Sequence, residues 1–209
     1  MKTKLLFNNI LTKGAILGCL MLASHTAKLS MLIYGGTLKW LGVMCLEMIA
    51  VMVLFVYLLY RYTKQYTGLI NKMQMSQGRP MKFSYANGLC YIIAISTLAG
   101  VIVGVGDFVF HKIIGHEVFI QRIMEIFSNM ISGMGTTSDM PTVREQIDEF
   151  NKKIMEIPNP TLFDCVFGSM WNYMFSGLIL GLIIAAFTRQ EAQPTFTPTD
   201  SEDNDTKDE

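Results

Sequence analysis

Read as an alternation of apolar and polar positions, the chain breaks into four long oily runs joined by polar connections. The runs cover residues 14–34, 38–60, 84–110 and 161–187. Each is long enough to cross a bilayer, which takes about 20 residues of helix. Hydrocarbon offers no partner to a backbone amide, so each run is expected to be helical throughout. Helices of a soluble bundle carry a polar stripe at three-four spacing, and these runs have almost none. The pattern predicts an all-α, polytopic membrane protein with four transmembrane helices.

A different pattern fills residues 111–160, between the third and fourth runs. Phe119, Ile120, Ile123, Phe127, Met130, Ile131 and Met134 fall on one helical face, with Gln121, Arg122, Glu125, Ser128 and Asn129 on the other. After the breaker "GMGTTSDMP", Thr142 and Glu145 have the spacing of a capping box. Val143, Ile147, Phe150 and Ile154 give the helix that follows an apolar face. Asp148–Lys152 and Glu149–Lys153 are ordered favourably as surface ion pairs. "IPNP" ends that helix and leads into the fourth crossing. The expectation is an extracytoplasmic amphipathic helical pair, packed on the bundle or on a protein partner.

Charge sets the orientation. Charged residues make up only 16% of the chain, against about 25% in a soluble domain, and they are segregated. Lys2, Lys4 and Lys13 precede the first run, and Arg61, Lys64, Lys72, Arg79 and Lys82 follow the second, with no acid among them. Short loops rich in Lys and Arg stay inside, so both termini are expected to be cytoplasmic. Residues 1–188 then form the transmembrane domain. Residues 189–209 form an acidic cytoplasmic tail with too little apolar surface to fold. Basic residues ahead of an apolar core also suit a signal peptide, with Cys19 after "ILG" as a lipidation site. Leu17 fits that poorly and the run continues past the cysteine, so the first helix stands. Cys19, Cys45, Cys90 and Cys165 fall one per run, without disulfide or zinc spacing. They are expected to be small buried apolar side chains.

Polar residues inside the runs are the candidates for chemistry. A charge at that depth costs a few kcal/mol, so it is retained for a reason. Counting about 1.5 Å per residue from the Gly35-Gly36 apex puts His25 and Glu47 at similar depth. Lys28 lies nearer the apex. A His25–Lys28–Glu47 cluster serves either as a clamp between two helices or as a proton or cation relay. "MIAVMVLFVYLLY" below Glu47 offers no polar continuity, which favours the clamp. Asp107 and His111 share a helical face near the outer surface, with His116 and Glu117 beyond them and Asp164 at similar depth. Such groups can bind a divalent metal, but their spacing fits no known ligand pattern, and no metal or other cofactor is expected. Gly14–Gly18, Gly100–Gly104 and Gly177–Gly181 are small-residue pairs that allow close packing within the bundle. Asn87 and Asn172 are expected to hydrogen-bond between helices.

Three stretches carry a family resemblance: "GRPMKFSYANGLCYIIAISTLAGVIVGV", "PNPTLFDCVFGSMW" and "SGLILGLIIAAFTRQ". With the outer helical pair, they resemble small four-helix bacterial membrane proteins, the family called domain of unknown function 4199, over roughly residues 10–190. The resemblance implies a protein of the inner membrane, chiefly of Bacteroidota. It lends no residue a role, because the family has no assigned activity. No HExxH, GxSxG or phosphate-cradling loop occurs. The expectation is a non-enzymatic accessory or scaffold protein. Its partners are the lipid bilayer and a protein meeting the outer amphipathic helices, without nucleic acid, and its oligomeric state is open. The alternative is a small transporter or ion-coupled protein using Glu47 and His25. A metal-dependent enzyme at Asp107, His111 and Asp164 comes last.

Overall fold

A computed structural model describes residues 2–35, 38–79, 82–133 and 141–190. The capping-box side chains of Thr142 and Glu145, the apex around Gly36 and the acidic tail lie outside the described residues. The elements are α1 (Lys2–Gly35), α2 (Leu38–Met75), α3 (Tyr85–Ile114), α4 (His116–Gly133), α5 (Pro141–Met155) and α6 (Leu162–Thr188). Among the described residues the one extended pairing is an antiparallel bridge between Phe83 and Gln190. Helices α1, α2, α3 and α6 are long and apolar enough to cross a membrane. The chain is an all-helical, integral, multi-pass membrane protein.

Two helices outrun the oily stretches that predicted them. At 34 and 38 residues, α1 and α2 span about 50 and 57 Å, well beyond the ~30 Å hydrocarbon core. Their extensions, before Gly14 on α1 and after Tyr60 on α2, stay helical because they pack against each other and against α3. Buried Thr63 and Thr67 donate their hydroxyls to the carbonyls of Leu59 and Thr63, at 2.7 and 2.9 Å. The polar groups are thus satisfied within the helix and its inward face can still be buried.

Helix α3 is the spine, packing chiefly on α6 and α1. The three glycine pairs explain how. A Cβ on Gly104 would lie 2.5 Å from Val166 Cα and 2.6 Å from the Cys165 carbonyl oxygen. One on Gly100 would lie 2.7 Å from Met170 Cα. On α6, Gly177 faces Ser96 and Gly181 faces Leu89. On α1, Gly14 receives Leu98 and Gly18 receives Ile102. Without side chains in the way, the backbones approach closely and gain dispersion contacts that lipid tails cannot match. All six glycines act inside this chain.

Helix α2 is held more lightly. Its middle contributes Phe55, Leu58 and Leu59 to the core, while Leu46, Ile49, Met52 and Val53, nearer its N-terminus, are exposed. In a membrane that surface meets acyl chains. Three cysteines also face outward, contrary to their expected burial: Cys19, Cys45 and Cys90 are exposed and Cys165 alone of the four is buried. A thiol is apolar enough for lipid, so hydrophobicity did not fix its direction. Neither asparagine bridges helices. Asn87 is exposed in the first turn of α3, where its backbone N–H bonds the Ser84 hydroxyl as an N-cap. Asn172 is exposed on the outward face of α6.

The α3–α4 corner turns at Gly115, whose φ of 89° lies in the region glycine occupies without strain. The apolar face of α4 from Phe119 to Phe127 is then covered from two sides, while the side chains of Met130, Ile131 and Met134 lie outside the described residues. Phe119 sets its ring edge against His111 at 4.8 Å, Ile120 is buried, and Phe127 stacks on Phe150 of α5 at 3.8 Å. On the outer side of α5, Lys153 Nζ lies 2.7 Å from Glu149 and holds that carboxyl below its usual range. Asp148 and Lys152 form no such pair among the described residues. Helix α5 begins at Pro141, one residue before the expected cap, a position where the missing proline N–H leaves no helical bond unmade.

Candidate functional site

Polar side chains inside the bundle gather in two layers, and the one toward the α3–α4 corner, termed outer for that nearness alone, centres on Asp107. His25 of α1 places Nε2 3.1 Å from Asp107 Oδ1. His111 of α3, one turn on, places Nδ1 3.0 Å from the Asp107 carbonyl and 3.4 Å from Oδ1. Since a carbonyl can only accept, that contact makes His111 Nδ1 the protonated nitrogen. The buried Cys165 of α6 lies beside this carboxylate. Through His25, Asp107 ties α1 to α3. Glycine enables the tie: Gly106 lets Leu22 of α1 press directly on α3, which brings His25, one turn further along α1, within reach.

Glu47 belongs to a separate pair. Its Oε1 accepts a hydrogen bond from Ser24 Oγ across the α1–α2 interface, and its Oε2 is buried without a partner. The depth count from the apex thus matches Glu47 with α1, but through Ser24 instead of His25. Successive helical residues point about 100° apart. Ser24 therefore looks at α2 and His25 at α3. Lys28 has neither a hydrogen bond nor an ion pair among the described residues.

Asp164 does not join Asp107. It accepts from Thr161 N–H at 3.0 Å and Thr161 Oγ1 at 2.6 Å, while its own N–H reaches Thr161 Oγ1 at 3.2 Å. This reciprocal capping box opens α6 and occupies the carboxylate. His116 Nε2 is 2.9 Å from the Ile157 carbonyl, fastening α4 to the α5–α6 connection. Among the described residues no three His, Cys, Asp or Glu side chains are grouped so as to hold a metal ion.

The inner layer was not foreseen from the sequence. Tyr66 of α2 stacks on Tyr91 of α3, 4.0 Å between centroids and 11° from parallel, and Phe83 meets Tyr66 edge-on. Tyr91 donates its hydroxyl to Asn9 Oδ1 of α1 at 3.0 Å. Lys13 lies 4.8 Å over the ring of Tyr62, a cation–π contact suited to a membrane interface. At the rim, Phe83 and Gln190 exchange two backbone hydrogen bonds of 3.1 Å. Asn71 donates to Gln190 Oε1 at 2.6 Å.

Residues 12–190 match the family model described as "Protein of unknown function (DUF4199)". The chain belongs to this family. No curated protein and no solved structure matches the chain. The DUF4199 match takes in the whole outer layer and ends at Gln190, the residue bonded to Phe83 and Asn71. Asn9 precedes it and the acidic tail follows it. The family description names no activity, so the chemistry rests on the residues above.

Proposed function

We propose that this chain is a non-enzymatic accessory or scaffold protein of the bacterial inner membrane, with both termini cytoplasmic and α4–α5 outside. The observation that carries the reading is the mainly apolar slab between the two polar layers, in which the buried Ser96 hydroxyl stands without a hydrogen-bond partner. Leu17, Met21, Phe55, Leu59, Ile95, Ala99 and Val103 are all buried there. A proton or ion path needs polar groups in succession, and this slab interrupts them. The sidedness follows from charge: Lys4, Lys13, Arg61, Lys64, Lys72, Arg79 and Lys82 all lie toward the inner-layer end, and such residues are retained on the cytoplasmic side. Because α5 and the bundle occupy the apolar face of α4, a partner would meet its polar face at Gln121 and Glu125. The test is crosslinking and affinity recovery from native membranes. A partner retained by the native chain and lost with Gln121→Arg/Glu125→Arg supports the reading; recovery of this chain alone contradicts it.

One observation favours a second reading, a small ion-coupled transporter using Glu47 and His25: Glu47 Oε2 is buried with no partner, as a transient proton or cation site requires. If Glu47→Gln keeps abundance and folding but abolishes a proton-linked flux in proteoliposomes, this second reading replaces the first.

A further inference from the structure

The inner end of the bundle is basic and carries no acid of its own. Among the described residues every Asp and Glu lies at or beyond the depth of Glu47, toward the outer end or in the outer segment. On the extension of α2, Arg61, Lys64 and Lys72 recur at three- and eight-residue spacing, which sets them within about 80° of one another around the helix. All three are exposed, and Leu59, Tyr62, Thr63 and Thr67 are buried on the opposite side. The following turn adds exposed Arg79 and Lys82. Among the described residues none of these five cations forms an ion pair.

The chain supplies a matching anion and delivers it to this place. Gln190 is pinned on two sides, by its backbone exchange with Phe83 and by the Asn71 amide. Asn71 lies about 20° around the helix from Lys64, so the chain leaves the bundle at the edge of the basic stripe. The nineteen residues that follow contain seven acids and one lysine. From Arg61 to Lys72 the stripe is about 16 Å long. The ten residues from Gln190 to Asp200 allow a separation of up to about 33 Å, so the cluster from Asp200 to Glu209 is within reach of the stripe.

We propose that the acidic segment 191–209 docks in cis on the basic stripe Arg61–Lys64–Lys72 and on Lys82, covering the inner end of the bundle. The occupant is this segment and not an anionic lipid headgroup, because its attachment at Gln190 keeps seven carboxylates at high local concentration beside the stripe. The interaction is electrostatic and screened over about 10 Å at 0.1 M salt. It holds whichever side of the membrane this end faces, since the stripe and Gln190 share that end.

Zero-length carbodiimide crosslinking of the full chain in nanodiscs, read by mass spectrometry, tests this. Mixing isotope-labelled with unlabelled copies separates links within one chain from links between chains. In neutral-lipid nanodiscs at low salt, the tail carboxylates are expected to link to Lys64, Lys72 and Lys82 of the same copy. Yield is expected to fall about tenfold at 0.5 M salt and with Lys64→Gln/Lys72→Gln, in which Lys82 remains as a reporter. A nanodisc with about one-third anionic lipid is expected to retain at least half of the yield. Absence of links to these lysines, links only between copies, or loss of links in anionic lipid would each overturn the proposal. The last outcome would make lipid the occupant.

Discussion

Replacing Gly104 with alanine adds one methyl group where the structure leaves no room. The new Cβ would sit 2.5 Å from Val166 Cα, 2.6 Å from Cys165 O and 3.0 Å from Cys165 C. All three are backbone atoms of α6, which no rotamer change can move aside. Relief to ordinary contact distance requires α6 to retreat by about 1 Å, over a seam that Gly100, one turn away, shares. Overpacking of this kind costs about 1–3 kcal/mol, and the better helix propensity of alanine offsets up to about 1 kcal/mol. The expected net loss is about 1–2 kcal/mol, a five- to thirtyfold rise in the unfolded fraction. Gly168 is the control, because a Cβ there meets nothing within 4 Å. Gly168→Ala is expected to be neutral or stabilising by up to about 1 kcal/mol. Reversible unfolding in mixed detergent micelles, followed by tryptophan fluorescence, reads both. Equal midpoints for the two variants would refute the close α3–α6 seam.

Two further predictions concern the polar layers. A double-mutant cycle on His25→Leu and Asp107→Asn is expected to give a coupling of roughly 0.6–1.7 kcal/mol. The same cycle on His25 and Glu47 is expected to stay within about 0.5 kcal/mol of zero, and the reverse order would show that α1 faces differently. Tyr91→Phe removes the hydroxyl that Asn9 accepts and is expected to cost about 1 kcal/mol. Adding Asn9→Ala to it would then cost little more, as the same micelle titration would record.

Much of this fold is legible in the sequence because lipid leaves the chain few choices. Long apolar runs must be helices, and the amphipathic run at Phe119–Phe127 must cover its apolar face. The glycine pairs are also legible as close-packing sites, although their spacing does not say which helix each one receives. The polar sites were legible only in part: His25, Glu47, Asp107 and His111 stand out by depth, but Ser24 does not, and Lys28 and Asp164 join neither pair. His25 and Asp107 are 82 positions apart, and depth counted along the α1–α2 hairpin is blind to α3. Only knowing that α1 packs more on α3 than on α2 turns His25 toward Asp107 and leaves Ser24 for Glu47. The inner layer was not legible because a tyrosine near a membrane boundary suits an interface anchor as well as a packed core. Tyr62 and Tyr66 at four-residue spacing, facing Tyr91 at the matching end of α3, were the available signal.

The central claim is that four helices cross lipid, with the two polar layers toward opposite faces. Its most direct test is single-cysteine accessibility in a chain whose four native cysteines are replaced by alanine. Ser76→Cys, at the inner end, and Gln121→Cys, on α4, are challenged with a membrane-impermeant maleimide in intact and in inverted vesicles. The account predicts opposite answers, each position labelled in only one vesicle orientation, with Gln121→Cys reached from outside the cell. Labelling of both positions from the same side would contradict it.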